Sequence, residues 1–389
     1  MSGKTTGWAL AALAAMAPAV SGAADKLTLG MMTTLSGPAA IIGTDLRDGA
    51  RLALDHLHNQ VGGLPTTLLV EDDQQKAEVA IDLANRLVRQ SKVDLLVGFS
   101  FSNLMLAVAG QLKDTDTIMI SANPGPSQLA GKDCSKYFLS TSWQGDNWAE
   151  AMGAYMQKKG IQNVYLMAPN YAAGHDVLAG FKRFYKGSVA GEVYTPLSQL
   201  EFSAELAQLR ATNPAAVFAF YPGGLGVNFV KQYSQAGLKQ SYPLYTSYTV
   251  DNTTIPGIGE NAVGLVRTSF WNEDSDNPVN RRFVTDFRAR YGRPPAEYAV
   301  QAYDAIMLID SGVRGVQGRV EDKGAFLAAL KKADFKSIRG RFRFNTNGFP
   351  IQDYFVGRVV KDGDRIRTRT EDVVLQDHAD AYASQCPLK

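Results

Sequence analysis

The chain has 389 residues, roughly twice the 100 to 200 of a typical domain, so two domains are the first expectation. Its residues are 45% hydrophobic and 20% charged, close to the soluble globular average, which excludes a disordered chain and a polytopic membrane protein. Lys and Arg number 40 against 38 Asp and Glu, for a net charge of +2, and no basic stripe with interleaved aromatics is present, so no nucleic-acid partner is expected.

Lys4 precedes an apolar run from Trp8 to Val20, followed by Ser21-Gly22-Ala23-Ala24 and the charged Asp25-Lys26. That order predicts a secretory signal peptide over 1–24, cleaved after Ala23 or Ala24. The run falls short of the roughly 20 residues of a transmembrane helix, and Pro18 interrupts it. No Cys follows to carry a lipid, so the product is expected free in an exported compartment, in a bacterium the periplasm.

Beyond the signal, strands alternate with helices. A strand is predicted over Lys26 to Met31, a helix over Thr44 to His58 with Leu46, Gly49, Ala50, Ala53 and Leu57 on one face, and a strand over Leu64 to Val70. A helix carrying Ala77, Ala80, Ala84 and Val88 leads to a strand over Val93 to Gly98. Then follow a helix over Asn103 to Leu112 and a strand over Thr117 to Ser121. After Ser140-Thr141-Ser142-Trp143 the same grammar resumes. Strands are expected at Asn163 to Met167, Glu192 to Thr195, Ala215 to Tyr221 and Leu244 to Thr246, with helices at Gly174 to Tyr185, Ser203 to Thr212 and Leu225 to Ala236. The fold class is therefore α/β, two Rossmann-like lobes with parallel sheets. In such sheets ligands sit beyond the carboxyl ends of the strands, so two facing edges make a cleft.

The only cysteines are Cys134 and Cys386. In an exported chain they are free to pair, and a bridge would anchor a tail that otherwise frays, contributing on the order of 4 to 5 kcal/mol through loop closure. The alternative is two buried thiols. With no C-x-x-C and no Cys/His cluster, neither a metal site nor a cofactor is expected.

Leu35-Ser36-Gly37-Pro38 with Gly43 and Gly49-Ala50, then "EDDQQKAEVAIDLANRLV", "VDLLVGFSFSN" and "ISANPGPSQL", resemble the N-terminal lobe of type I periplasmic binding proteins of the leucine/isoleucine/valine-binding family. "PNYAAGHDVLAGFK", "FVKQYSQAGL", "AVQAYDAIMLI" and "GRFRFNTNGFP" continue the likeness in order over essentially the whole mature chain. The resemblance implies two lobes joined by three crossover segments, near Ser140 to Trp143, Thr268 to Asn272 and Phe344 to Ile351. One lobe would then hold 25–141 and 270–345, the other 142–269 and 346–389. It further implies a monomer that closes on a small-molecule ligand and delivers it to the membrane permease of an ABC importer.

Amino-acid binders of this family hold the ligand carboxylate with a Ser after the fourth strand, matching Ser102, and a Thr in the next loop, where Gly125 stands. Asn123 offers an amide in its place; both Ser102 and Asn123 also suit helix capping. A pocket aromatic of those members matches Ile42, and their stacking Tyr matches Ala173, with Tyr171 nearby. The acid that neutralises the ligand ammonium matches Ser247 in Thr246-Ser247-Tyr248, so a zwitterion is disfavoured. Phe99, Phe101, Tyr171, Tyr221 and Tyr248, with Pro222 beside Tyr221, are expected to pack a flat apolar body. The sequence also resembles a branch of the family binding aromatic acids of the benzoate or hydroxycinnamate type. The competing expectations are a branched-chain amino acid or amide as ligand, and a receptor domain of the same fold. No catalytic residues are expected. His56 and His58 lie two apart on a helix, His175 begins another, and Glu71-Asp72-Asp73 reads as a polar strand end.

Overall fold

A computed structural model describes residues 24–388; the expected signal peptide lies outside the described residues apart from Ala24. Strand β1 (Leu27–Thr33) is almost wholly buried, as an unbroken apolar strand of a parallel sheet must be when helices cover both faces. It leads to α1 (Ala40–His56), then to the small hairpin of β2 (Gln60–Val61) and β3 (Leu64–Asp72). The units α2 (Ala77–Asn85)–β4 (Leu95–Gly98), α3 (Ser102–Gln111)–β5 (Ile118–Ser121) and α4 (Ser127–Ala130)–β6 (Phe138–Ser140) complete a six-stranded sheet in the order β2-β3-β1-β4-β5-β6. At the end of β3, Asp72 accepts from the Leu35 amide at 2.8 Å and Asp73 from the Thr34 hydroxyl at 2.5 Å, so these two acids tie the end of β3 to the segment after β1, while Glu71 pairs with Arg86.

The second sheet begins with α5 (Asn147–Lys158), β7 (Asn163–Pro169), α6 (Ala172–Phe184), β8 (Ser188–Thr195), α7 (Ser203–Thr212) and β9 (Ala216–Ala219). It continues through α8 (Gly224–Gln235), α9 (Leu238–Ser241), β10 (Leu244–Thr246), α10 (Ile255–Ile258) and β11 (Val266–Ser269). The chain then returns to the first sheet for α11 (Pro278–Tyr291), α12 (Glu297–Gly315) and α13 (Lys323–Lys331), with α12 packed on α1. Buried Asp45 of α1 holds that return by accepting from the Ala296 and Ala299 amides at 3.1 and 2.9 Å. Finally β12 (Arg343–Phe344), β13 (Pro350–Asp362) and β14 (Arg365–His378) join the second sheet.

This last part departs from the expected all-parallel sheets. Strands β13 and β14 form a long antiparallel hairpin through the Gly363-Asp364 turn, and β13 also pairs antiparallel with β11, so the eight-stranded sheet is mixed. Where the chain passes between the sheets, buried Arg339 draws the passages together. It donates to the Thr141 carbonyl at 2.7 Å and the Ser142 carbonyl at 3.3 Å, and pairs with Asp304 of α12 at 3.0 Å and Gln352 of β13 at 2.8 Å. Cys134 and Cys386 are bonded, with Cα atoms 5.6 Å apart. The tail leaving β14 is thus tied covalently to the loop before β6 of the first sheet.

Candidate functional site

The loops at the carboxyl ends of both sheets face each other across a cleft of about 450 Å³. From the first sheet, Ile42 comes from the first turn of α1, Ser100, Phe101 and Ser102 from the turn after β4, and Asn123 to Pro126 from the turn after β5. Tyr171, Ala173 and Asp176 begin α6, Phe220 and Pro222 follow β9, and Tyr248 follows β10. Trp143 of the first passage and Tyr298 of α12 close the floor. Two bulky residues beside the strand ends hold left-handed backbone, Phe99 at φ 69° and Tyr248 at φ 56°. Such conformations persist only where the surroundings enforce them and concentrate at binding sites.

The walls are aromatic. Tyr248 stacks on Trp148 at 3.9 Å between ring centres and meets Trp143 at 4.8 Å and Phe220 edge-on at 5.5 Å. Tyr171 lies 6.1 Å from Phe101 of the opposite lobe and 6.2 Å from Phe220. Burial raises the Tyr171 and Tyr248 phenols, so both keep their protons at neutral pH.

The polar groups are few and placed by the meeting of the lobes. Ser102 Oγ accepts from the Ala173 amide across the cleft at 2.9 Å, which brings the N-terminal ends of α3 and α6 together and leaves the hydroxyl proton free to be donated. Ser102 does not cap its own helix; Phe101 occupies that position and no side chain caps it. Asp176 forms a second bridge, accepting from the Ser127 amide at 2.8 Å and hydroxyl at 2.7 Å. Burial raises the Asp176 carboxyl above the usual range. Two cleft residues keep a buried side-chain atom without a partner, Asn123 Oδ1 and the Tyr248 hydroxyl.

Of the residues expected from sequence, Ile42, Phe101, Ser102, Asn123, Gly125, Tyr171, Ala173, Pro222 and Tyr248 line the cleft. Tyr221 and Ser247 do not, and both expectations are corrected. Tyr221 turns into the second lobe's core against Phe202 and Phe229, with Phe220 on the cleft side instead. Ser247 Oγ bonds Thr268 Oγ1 at 2.8 Å behind the cleft. Phe99 is buried in the core. Gly125 lacks a side chain for a backbone reason: a Cβ there would overlap the Trp143 carbonyl oxygen. At Gly223, φ 59° favours glycine, and Ile42 from the other lobe approaches closely, 3.1 Å from where a Cβ would stand. The amide of Asn123 is turned the opposite way from the expectation, its NH2 donating to the Ser100 carbonyl at 2.6 Å and its oxygen left over. Sequence reading missed Trp143, Asp176, Phe220 and Tyr298, of which only Asp176 left a signal, three residues beyond Ala173, which was expected at the cleft.

Two α/β lobes enclosing a small cleft at facing strand ends define a hinge-closing binding protein. The periplasmic binding protein profile matches residues 26–364, and the chain belongs to that family, whose members are the solute-binding proteins of ABC transporters. It is 30% identical over 369 residues, 92% of this chain and 93% of the relative, to Leu/Ile/Val-binding protein homolog 6 of Brucella melitensis biotype 1. Among solved structures it resembles a solute-binding protein of an R. palustris ABC transporter in complex with benzoate. That match has a TM-score of 0.88 and 28% identity, covering 93% of this chain and all of the other. An ABC transporter substrate-binding protein from Sphaerobacter thermophilus matches with a TM-score of 0.83 and 30% identity, over 90% and 98% of the two chains.

Proposed function

We propose that this periplasmic binding protein captures an aromatic carboxylic acid of the benzoate or hydroxycinnamate type and hands it to an importer. The observation that carries the reading is the composition of the cleft: rings on several sides, with two helix N-termini converging at Ser102 and Ala173. A carboxylate placed there meets amide and hydroxyl donors at the positive ends of two helices, which compensates for the absence of a lining cation. The benzoate complex of the R. palustris relative supports the same class of ligand.

Ser102, Tyr248 and the start of α6 are the proposed carboxylate holders, and Ile42, Phe101, Gly125, Tyr171, Ala173 and Pro222 the proposed packing surface, with Trp143, Phe220 and Tyr298 added to it. The lobes are proposed as 25–141 with 270–345 and 142–269 with 346–389, acting as a monomer without catalytic activity, exported by cleavage after Ala23 or Ala24.

Asp176 favours a second reading, an amino-acid or amide ligand, because it supplies to the cleft the acid that is missing at Ser247. Against it, both Asp176 oxygens already accept from Ser127. A thermal-shift panel separates the two. A ligand at 100 times its Kd stabilises by about 2.7 kcal/mol. Shifts with 4-hydroxybenzoate or coumarate and silence with leucine and valine are expected; the reverse pattern would refute the aromatic assignment.

A further inference from the structure

Asn123 is 7% exposed in the wall of the cleft, on the turn that leaves β5. Its Nδ2 donates to the Ser100 carbonyl at 2.6 Å, and since a carbonyl only accepts, that bond settles which end of the amide is nitrogen. Oδ1 is therefore the free end, and it is buried with no partner.

The hydroxyls and amides around it are committed elsewhere. Ser100 Oγ shares a proton with Thr33 Oγ1 at 2.7 Å and accepts from the Thr34 amide at 3.0 Å. Ser121 Oγ donates to the Pro124 carbonyl at 2.6 Å, and the Gly145 amide to the Gly125 carbonyl at 2.7 Å. A buried amide oxygen without a donor is costly, so a ligand that brings an N–H or O–H to it gains what the protein itself does not supply. A carboxylate brings only lone pairs and would meet Oδ1 as acceptor against acceptor. The bare ring of benzoate brings only C–H.

We infer that Asn123 is a specificity residue reading a hydrogen-bond donor on the ring of the ligand, so that hydroxyl- or amino-substituted aromatic acids are preferred over the unsubstituted acid. The inference rests on the aromatic-acid reading above and divides the cleft chemically. Ser102 and Tyr248 offer protons to the carboxylate, and Asn123 Oδ1 accepts one from a ring substituent.

Calorimetry on the mature protein tests it with benzoate, the three hydroxybenzoates, the aminobenzoates and the matching fluorobenzoates, which fill the same positions without a donor. One hydroxy or amino isomer should bind at least tenfold tighter than both benzoate and the fluoro analogue at that position. Asn123→Ala should reduce that ratio to below threefold, with circular dichroism checking the fold. Benzoate or a fluorobenzoate binding as tightly as every donor-bearing acid would overturn the inference alone, whether or not the variant folds. So would a ratio that survives in folded Asn123→Ala. Silence from every aromatic acid would overturn the ligand class and this inference together.

Discussion

Replacing Ser102 by Ala removes one interaction that joins the lobes across the cleft and one proposed with the ligand. The first is the bond its oxygen accepts from the Ala173 amide of the other lobe at 2.9 Å. An ordinary hydrogen bond of this kind contributes about 1 kcal/mol net. The second is the hydroxyl proton offered to the ligand carboxylate, a charge-assisted bond of about 1.5 to 3 kcal/mol. If the lobes open without ligand, as the proposed capture requires, both losses fall on the binding equilibrium rather than on the fold of either lobe. Together they amount to about 2.5 to 4 kcal/mol, which at 1.4 kcal/mol per decade raises Kd roughly 60- to 700-fold. Calorimetry with the tightest aromatic acid measures the change, and a melting curve without ligand supplies the control. A Kd within threefold of wild type would refute the reasoning, as would a loss of affinity matched by an equal loss of ligand-free stability.

Tyr248→Phe deletes a buried hydroxyl that has no partner, so the ligand-free melting temperature should not fall while aromatic-acid affinity drops about tenfold. Unchanged affinity in calorimetry would remove Tyr248 from the carboxylate site. Reducing the Cys134–Cys386 bond opens a loop with a sequence separation of 252 and should destabilise the protein by about 5 kcal/mol. Scanning calorimetry with and without reductant reads the effect, and identical melting curves, with reduction verified by mass, would contradict it. Asp146 is pushed up to about 7 by burial first and by the charge of Asp176 second. In that situation the folded state binds the extra proton, so wild-type stability is favoured at low pH and declines as pH rises from about 4 through about 7. Denaturant titrations should therefore find that Asp146→Asn gains relative to wild type across that window and no further above it. A flat difference would show that Asp146 stays ionised.

The alternating βα grammar was legible from periodicity alone, because a parallel strand covered on both faces must be continuously apolar and a covering helix must repeat its apolar face. Ser203–Thr212 and Leu244–Thr246 match their predicted bounds. The β13–β14 hairpin was also written in the chain, as a two-residue Gly363-Asp364 turn between strand-like segments, and went unread. The aromatic cleft and the placing of Ser102 in it followed from the family resemblance with the right loops but not always the right side chains. Phe220 and Tyr221 are adjacent, and in extended chain neighbours point to opposite faces, so choosing between them required knowing which face the cleft occupies. By itself the sequence determined what the elements are and which strand ends carry the binding loops, since those depend on local periodicity and turn chemistry. Only the tertiary structure decided that Asp176 reaches Ser127, that Trp143 excludes a side chain at Gly125, and that the Asn123 amide is left with its oxygen unpartnered. Each depends on how two lobes distant in sequence meet, and no local pattern encodes the orientation of one against the other.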